Sequence, residues 1–279
     1  MFRIVEHEEL APKVRRMRVA APYVAAKAQP GQFVILIVDD VGERVPFTIS
    51  GWDREAGTVD FVFIEVGHTT QQMASLNVGD GFLHFIGPLG RAAEVDQYGH
   101  VVAVASGYGI AGMGPIVEAL KANGNQVTTI LQAAGPEAVY GKERLAAASD
   151  NLILATGDSP GSATALGVLH QFVTGHPKHP VDRVVAMASL CLMHAVCEAT
   201  RPAAIKTMVH LAPVMVDGTG MCGACRFSTK GGNRFACVHG PEFDGHEVEG
   251  WDVLLARRCT YADDSVRQPG YQCRGCSQW

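Results

Sequence analysis

Residues 217–237 carry an aspartate and three cysteines at the spacing D-x4-C-x2-C-x11-C: Asp217, Cys222, Cys225 and Cys237. No other stretch limits the fold as tightly. A loop built around Gly218, Gly220 and Gly223 can take positive φ angles and wrap a compact group, but it packs poorly alone. Thiolates are soft ligands matched to zinc or iron–sulfur, and a carboxylate can replace one at iron. Plant-type [2Fe–2S] loops use C-x4-C-x2-C and a distant fourth cysteine, which here puts Asp217 first and Cys237 last. A structural zinc site of Cys222, Cys225, Cys237 and His239 is also a legal ligand set, and reduced cysteines without metal are a third reading. The aspartate at the first-ligand spacing and the glycines favour iron–sulfur. An electron-carrying cluster needs donors and acceptors, which the remaining chain should supply.

At 279 residues and 47% hydrophobic, the chain has room for two compact domains and a small extra module. No apolar run reaches membrane-spanning length. A formal net charge of −5, with Lys and Arg scattered, excludes a basic footprint for nucleic acid. The opening residues read as an amphipathic strand and lack the basic and apolar regions of a secretory signal. Eight cysteines in such a chain are expected to be metal ligands and reduced thiols rather than a disulfide framework. A soluble, cytoplasmic protein is the expectation.

Over residues 1–97 short strands alternate with turns, which predicts an antiparallel β-barrel. Val34–Val38 is an apolar run between Pro30-Gly31 and Asp39-Asp40; Val59–Val66 is β-branched and aromatic; Val78–Gly81 reads as a turn. Gly87-Pro88-Leu89-Gly90 is expected to be a tight turn closing the barrel. In Arg44–Ser50, alternate residues of an extended segment share a face, which aligns Arg44, Pro46 and Thr48. A guanidinium and a hydroxyl there suit a pyrophosphate or a flavin edge; a surface arginine on an edge strand is the plainer alternative. Gly67-His68-Thr69-Thr70 offers amides and hydroxyls to phosphate.

From residue 98 to 212 strands alternate with helices, which predicts a parallel sheet covered on both faces. The strands are His100–Ala105, Val127–Leu131, Asn151–Thr156, Val181–Ala188 and Ile205–Leu211. The helices are Ile116–Ala122, Lys142–Ala148, Thr164–Phe172 and Leu192–Thr200. Gly107-x-Gly109-x-x-Gly112 matches the dinucleotide fingerprint after a strand, where a helix N-terminus favours an anion. The second strand ends Gln132-Ala133-Ala134 without the acidic residue that usually holds a ribose. Thr156-Gly157-Asp158 ends the third strand, where Asp158 faces a cofactor or caps the next helix. Cys191 and Cys197 read equally as buried thiols.

These residues together resemble the ferredoxin reductase-like flavoproteins, whose barrel carries an R-x-[PY]-[ST]-type flavin motif. With Met215–Arg226 and Phe235–His246 the chain resembles the small subunits of NADH-dependent ferredoxin:NADP oxidoreductases. Those are related to the electron-transfer subunits of dihydroorotate dehydrogenase and to sulfide dehydrogenase subunits. The resemblance runs from Gln29 to His246. It implies an antiparallel flavin barrel (1–97), an α/β parallel-sheet nucleotide domain (98–212) and a C-terminal [2Fe–2S] module with a tail (213–279).

By the same resemblance Arg44, Pro46, Phe47 and Thr48 hold FAD, with Gly67, Thr69 and Thr70 near its diphosphate. Gly107, Gly109, Ile110 and Asp158 take NAD(H) or NADP(H), with Ser189 and Cys191 near the nicotinamide. Asp217, Cys222, Cys225 and Cys237 ligate the cluster; the dihydroorotate branch has cysteine in place of Asp217. No general acid or base is expected, because hydride transfer is the cofactors' chemistry. The implied partner is a larger flavin and iron–sulfur subunit resembling the glutamate synthase small subunit. That partner would engage ferredoxin and house electron bifurcation.

Three segments depart from the family pattern. Ala111-Gly112-Met113 stands where Ala-Pro is usual, Ser189–Met193 where Gly-Pro and two methionines are usual, and Gly157-Asp158 where an acidic pair is usual. The absence of arginine near Gln132 leans towards NADH. In the tail, Cys259 and Cys273-x2-Cys276 suggest partner contact or disorder, with a second metal site as the alternative. Two rival functions are a dihydroorotate dehydrogenase electron-transfer subunit and a non-redox nucleotide-binding module with structural zinc.

Overall fold

The computed structural model describes residues 1–156, 164–175 and 180–257. Seven strands make the first sheet: β1 (Phe2–Ala11), β2 (Val14–Ala20), β3 (Phe33–Ile37), β4 (Val45–Asp53), β5 (Thr58–Ile64), β6 (Gly81–Phe82) and β7 (His84–Leu89). Helices α1 (Pro22–Ala25) and α2 (His68–Ala74) lie in its connections. The strand order is β6-β1-β2-β5-β4-β3-β7, so the two edges are consecutive in the chain and the sheet curls into a nearly closed antiparallel barrel. Its interior is filled by alternate residues such as Ile4, Met17, Val34, Leu36, Phe47, Ile49 and Phe61. On the solvent side of β2 and β5, Arg18 binds Asp60 at 2.7 and 2.9 Å. The expected turn at Gly87–Gly90 is instead largely strand: β7 runs to Leu89, which pairs with Phe33. Pairing on either side, Ile86 with Ile35 and Leu89 with Phe33, carries β7 past the stretch, while the register shifts across Gly87-Pro88, whose peptide bond is cis.

The second sheet carries β8 (His100–Ser106), β9 (Gln126–Gln132), β10 (Asn151–Ala155), β11 (Arg183–Met187) and β12 (Lys206–His210). They run parallel in the order β10-β9-β8-β11-β12. Helices α3 (Gly109–Ala122), α4 (Lys142–Ala147), α5 (Ala165–Gly175) and α6 (Leu190–Thr200) cover both faces. Alternation in β8 decides which side chain meets which layer. Val101, Ala103 and Ala105 pack with Met113, Ile116 and Leu120 of α3. Val102 and Val104 pack with Val168 and Leu169 of α5 and Met193 and Val196 of α6. Helix α3 begins at the glycine fingerprint rather than at Ile116, with Pro115 inside it. One missing N–H is tolerated there because Met113, Ile116, Val117 and Leu120 are fully buried.

Beyond residue 213 the chain forms β13 (Arg226–Thr229), β14 (Gly232–Phe235), α7 (Ala236–His239), β15 (Glu242–Asp244) and β16 (Val248–Glu249), and residues 251–257 are helical. Strands β14-β13-β16 make a small sheet, while β15 joins the parallel sheet as an antiparallel edge beside β12. One continuous core holds Phe33 and Ile35 of the barrel, Val104 and Ala186 of the parallel sheet, and Cys225, Phe227, Cys237 and Trp251 of the C-terminal segment. The barrel, parallel sheet and cysteine segment therefore pack through shared side chains, as the expected architecture requires. Among the described residues no helix is long and apolar enough to cross a membrane.

Candidate functional site

Strand β4 changes partner along its length. Residues 45–48 pair with β3, and the ladder to β5 starts only at Ile49. Pro46 falls in the first part, where its missing N–H interrupts no ladder on the β5 side. Directly opposed residues of an antiparallel pair share a face, so Pro46 and Thr48 point outward with Ile35 and Phe33. Phe47 points into the barrel core, its ring 5.1 Å from that of Phe61, and offers a ligand only its backbone. Arg44 is exposed at the start of this stretch.

Gly67 opens α2. The Thr70 hydroxyl accepts from the Val66 and Gly67 amides, both at 3.0 Å, and so organises the helix start. Thr69 Oγ1 donates to Glu43 Oε2 at 2.8 Å, and Gln72 Nε2 to Asp39 Oδ2 at 2.6 Å. These bonds draw α2 onto the loop ahead of β4. Arg44 and Gly67–Thr70 thereby come to one end of the barrel beside an open strand edge. Glu43 was missed by sequence reading; an acidic residue next to an arginine carries no signal until α2 is placed.

The glycine fingerprint lies after β8, and each glycine has its own reason. Gly107 is exposed at φ +55°, and an added Cβ would meet nothing within 4 Å. At Gly109 a Cβ would stand 1.8 Å from the Met187 carbonyl oxygen. At Gly112 it would stand 2.6 Å from Met187 Sδ and 2.7 Å from Thr48 Cγ2. Gly109 and Gly112 thus let α3 close on β11 and on the barrel, while Gly107 alone fronts open space. Ile110 is buried, and its amide donates to the Gly107 oxygen at 3.2 Å.

Two tyrosine hydroxyls pin the same loop: Tyr140 donates to Gly107 O at 2.6 Å and Tyr108 to Ala188 O at 2.8 Å. Burial pushes the Tyr140 hydroxyl well above its ordinary pKa, although the Ala111 amide opposes this, so it stays a donor. Neither tyrosine was singled out from sequence, because the partners lie far away in the chain. Ser189 caps α6, accepting from the Leu192 amide at 3.3 Å, and Cys191 is half-buried two residues on. Asp158 lies outside the described residues, as do Cys259, Cys273 and Cys276.

In the cysteine segment the four expected ligands fall into two pairs. Cys225 Sγ and Cys237 Sγ are 3.3 Å apart and buried. Asp217 receives the Cys222 amide on Oδ2 at 2.8 Å and the Thr219 amide on Oδ1 at 3.0 Å, which keeps Asp217 beside exposed Cys222. The Thr219 amide, with that of Cys222, outweighs burial and brings the Asp217 carboxyl down to about 2. Burial, with the Cys225 thiol, pushes Cys237 up to about 12, the Gly220 amide opposing. Among the described residues no three Cys, His, Asp or Glu side chains gather at metal-holding distance of one point. A two-iron cluster takes two protein ligands at each iron, and two pairs of donors fit that demand. Gly218, Gly220 and Gly223 all have positive φ, from +71° to +85°. In the zinc alternative, His239 has Nδ1 engaged by the Phe235 amide at 3.0 Å and its ring stacked on Phe235, leaving Nε2 as its one free donor.

The cysteine loop rests on the barrel where the Arg44–Thr48 face is turned. A Cβ at Gly218 would stand 2.6 Å from Ile35 Cδ1 and 2.7 Å from Leu89 Cδ1. Ile35 pairs with Pro46, one strand spacing of about 5 Å away. A single strand, β3, therefore separates the cysteine loop from Pro46 and Thr48, and their side chains share a face of the sheet.

Comparison with known proteins bears on the family of the whole chain. The family model described as the iron–sulfur cluster binding domain of dihydroorotate dehydrogenase B matches residues 212–249. A Thermotoga maritima protein described as a dihydroorotate dehydrogenase B (NAD(+)) electron transfer subunit homolog is 38% identical over 261 residues, 93% of this chain and 91% of that protein. A Clostridium beijerinckii protein described only as an uncharacterized protein in the adh 3' region is 38% identical over 270 residues, 94% of this chain and 90% of its own. Among solved structures, a chain of the NADH-dependent reduced ferredoxin-NADP oxidoreductase, studied for flavin-based electron bifurcation, superposes with a TM-score of 0.88. It is 34% identical, covering 95% of this chain and 96% of that one. The chain belongs to the ferredoxin reductase-like family of electron-transfer subunits that includes those of dihydroorotate dehydrogenase B and their homologues.

Proposed function

We propose that this chain exchanges electrons with NADH or NADPH, holds FAD and a [2Fe–2S] cluster, and serves a larger flavin and iron–sulfur partner subunit. The observation that carries the reading is the single strand β3 between the cysteine loop at Gly218 and the Pro46–Thr48 face. Two redox groups held on those two sides sit close enough for electrons to pass without a carrier. When bound, the flavin supplies conversion of a hydride into single electrons, and the cluster their onward passage.

The residues have defined parts in this reading. Arg44 offers a guanidinium to a diphosphate, and Pro46 and Thr48 present an outward face with unpaired backbone beside it. The N-terminal turn of α2, from Gly67 to Thr70, faces the same end. Gly107 leaves room for a pyridine nucleotide, and Gly109 and Ile110 open the helix behind it. Asp217 with Cys222, and Cys225 with Cys237, would hold one iron each. Cys222 and Met221 are exposed, Met221 by 90%, so the loop faces outward. This suits transfer to a partner resembling the glutamate synthase small subunit, in a complex coupling NADH, NADPH and ferredoxin.

The test is to purify the chain anaerobically, record its visible spectrum and titrate with NADH and NADPH separately. Flavin and iron–sulfur absorbance bleached by one nucleotide is the expected result. A colourless protein with stoichiometric zinc would overturn the reading. A coloured protein that neither nucleotide bleaches would move the nicotinamide chemistry to the partner.

A further inference from the structure

Strand β8 lies between β9 and β11, and the chain builds the sheet outward from it in both directions: β9 and β10 on one side, β11 and β12 on the other. The carboxyl ends of β8 and β11 therefore flank the topological switch point, where open α/β sheets bind ligands. In this chain that crevice is narrow and bridged. Gly109, just after β8, lies so close to β11 that a Cβ there would be 1.8 Å from the Met187 oxygen. Directly beside it the half-buried Tyr108 reaches from the β8 loop to the β11 loop and donates its hydroxyl to Ala188 O at 2.8 Å.

Tyr140 anchors the same loop differently. Its buried hydroxyl holds Gly107 O at 2.6 Å from the α4 side, the rear of the loop, and spans no gap between strands. One tyrosine supports the loop, and the other crosses the opening.

We propose that Tyr108 is a positioning residue that gates the pyridine nucleotide: its hydroxyl bond to Ala188 competes with the nicotinamide end of the ligand for the switch-point crevice. This rests on the nucleotide chemistry proposed above. A ligand that enters must break the Tyr108–Ala188 bond, so its apparent affinity is lowered by the fraction of molecules in which that bond is made. Loss of the hydroxyl then tightens binding, where a residue that merely shapes the loop would weaken it. Because the bridge lies in the crevice that the nicotinamide end would enter, its removal acts on that half and leaves the adenosine half unaffected.

The experiment uses the full-length holoprotein and four probes: NAD+, NADP+, AMP and 2′-phospho-AMP, by isothermal titration calorimetry, a readout independent of turnover. Tyr108→Phe should bind the preferred dinucleotide about two- to tenfold more tightly, the range of one net hydrogen bond. Its binding of the matching mononucleotide should be unchanged. Tyr140→Phe should not tighten binding. In parallel, 3-fluorotyrosine at position 108 should show a 19F shift on saturation with the dinucleotide and none with the mononucleotide. Unchanged or weaker dinucleotide binding in Tyr108→Phe, equal tightening in Tyr140→Phe, or a fluorine signal that stays put would each overturn the inference while nucleotide still bleaches the flavin. Failure of the wild-type holoprotein to bind either dinucleotide would defeat the functional reading itself, and this inference with it.

Discussion

Replacing each glycine of the fingerprint by alanine separates its structural duty from its ligand-binding duty. Gly107→Ala adds a methyl that meets no atom within 4 Å, at φ +55°; only the left-handed backbone opposes it, at about 1–2 kcal/mol. Gly112→Ala puts the methyl 2.6 Å from Met187 Sδ and 2.7 Å from Thr48 Cγ2, which are side-chain atoms that can partly yield. Overpacking of that kind costs about 1–3 kcal/mol, offset by about 1 kcal/mol of helix propensity gained. Gly109→Ala collides with a main-chain oxygen at 1.8 Å. To reach ordinary contact the start of α3 and the end of β11 must part by more than about 1 Å, a core disruption of about 4 kcal/mol or more. Urea unfolding followed by circular dichroism should rank the losses Gly109→Ala far above Gly112→Ala and Gly107→Ala. Nucleotide titration should single out Gly107→Ala instead, with affinity reduced at least about tenfold and stability lowered only by the left-handed backbone, about 1–2 kcal/mol. A Gly109→Ala protein as stable as wild type would refute the reasoning, as would a Gly107→Ala protein that binds nucleotide normally.

Three further outcomes are expected. Gly218→Ala, at φ +73° and pressed on Ile35 and Leu89, should lose about 2–4 kcal/mol together with iron content, and adding Ile35→Val should restore part of the stability; no recovery in the double variant would show that the loop does not rest on β3. Asp217→Ala should lower iron and inorganic sulfide per chain while flavin content stays constant, whereas Asp217→Cys should retain the cluster with a changed reduction potential and electron paramagnetic resonance spectrum; an identical spectrum would remove Asp217 from the ligand set. Glu242 is buried 3.2 Å from His210 Nε2 and accepts the Glu94 amide at 2.8 Å, and although burial raises its pKa, these partners bring it below the ordinary value of 4.5. A carboxyl depressed in the folded state contributes stability that is present above its unfolded pKa and lost as pH falls through the folded one. Glu242→Ala should therefore cost about 3 kcal/mol at pH 7, and the gap to wild type should narrow below pH 4.5; a gap independent of pH would contradict the assignment.

The sequence by itself determined what depends on neighbours along the chain. The spacing of Asp217, Cys222, Cys225 and Cys237 is local chemistry, and the apolar runs at Val34–Val38 and His100–Ala105 mark strands because strand burial is written residue by residue. The order of strand texture, then alternating strand and helix, then a cysteine loop, was enough for the architecture. Helix α3 starts at the fingerprint, well before the expected Ile116, because packing of both flanks overrides the one hydrogen bond lost at Pro115. Gly87–Leu89 lies within β7 because Ile86 and Leu89 pair with β3 on either side of the Gly-Pro step, a pairing that local composition does not reveal.

Only the tertiary structure decided what depends on contacts across the chain. Nothing near Gly109 in sequence announces the Met187 carbonyl, nor does anything near Tyr108 announce Ala188, 80 residues away. The same holds for Gly218 on Ile35, the contact that brings the cysteine loop onto the same face of the sheet as Pro46 and Thr48. Such pairs arise when separate sheets and loops share one core. Their partners are chosen by the geometry of packing, to which no single local segment holds the key.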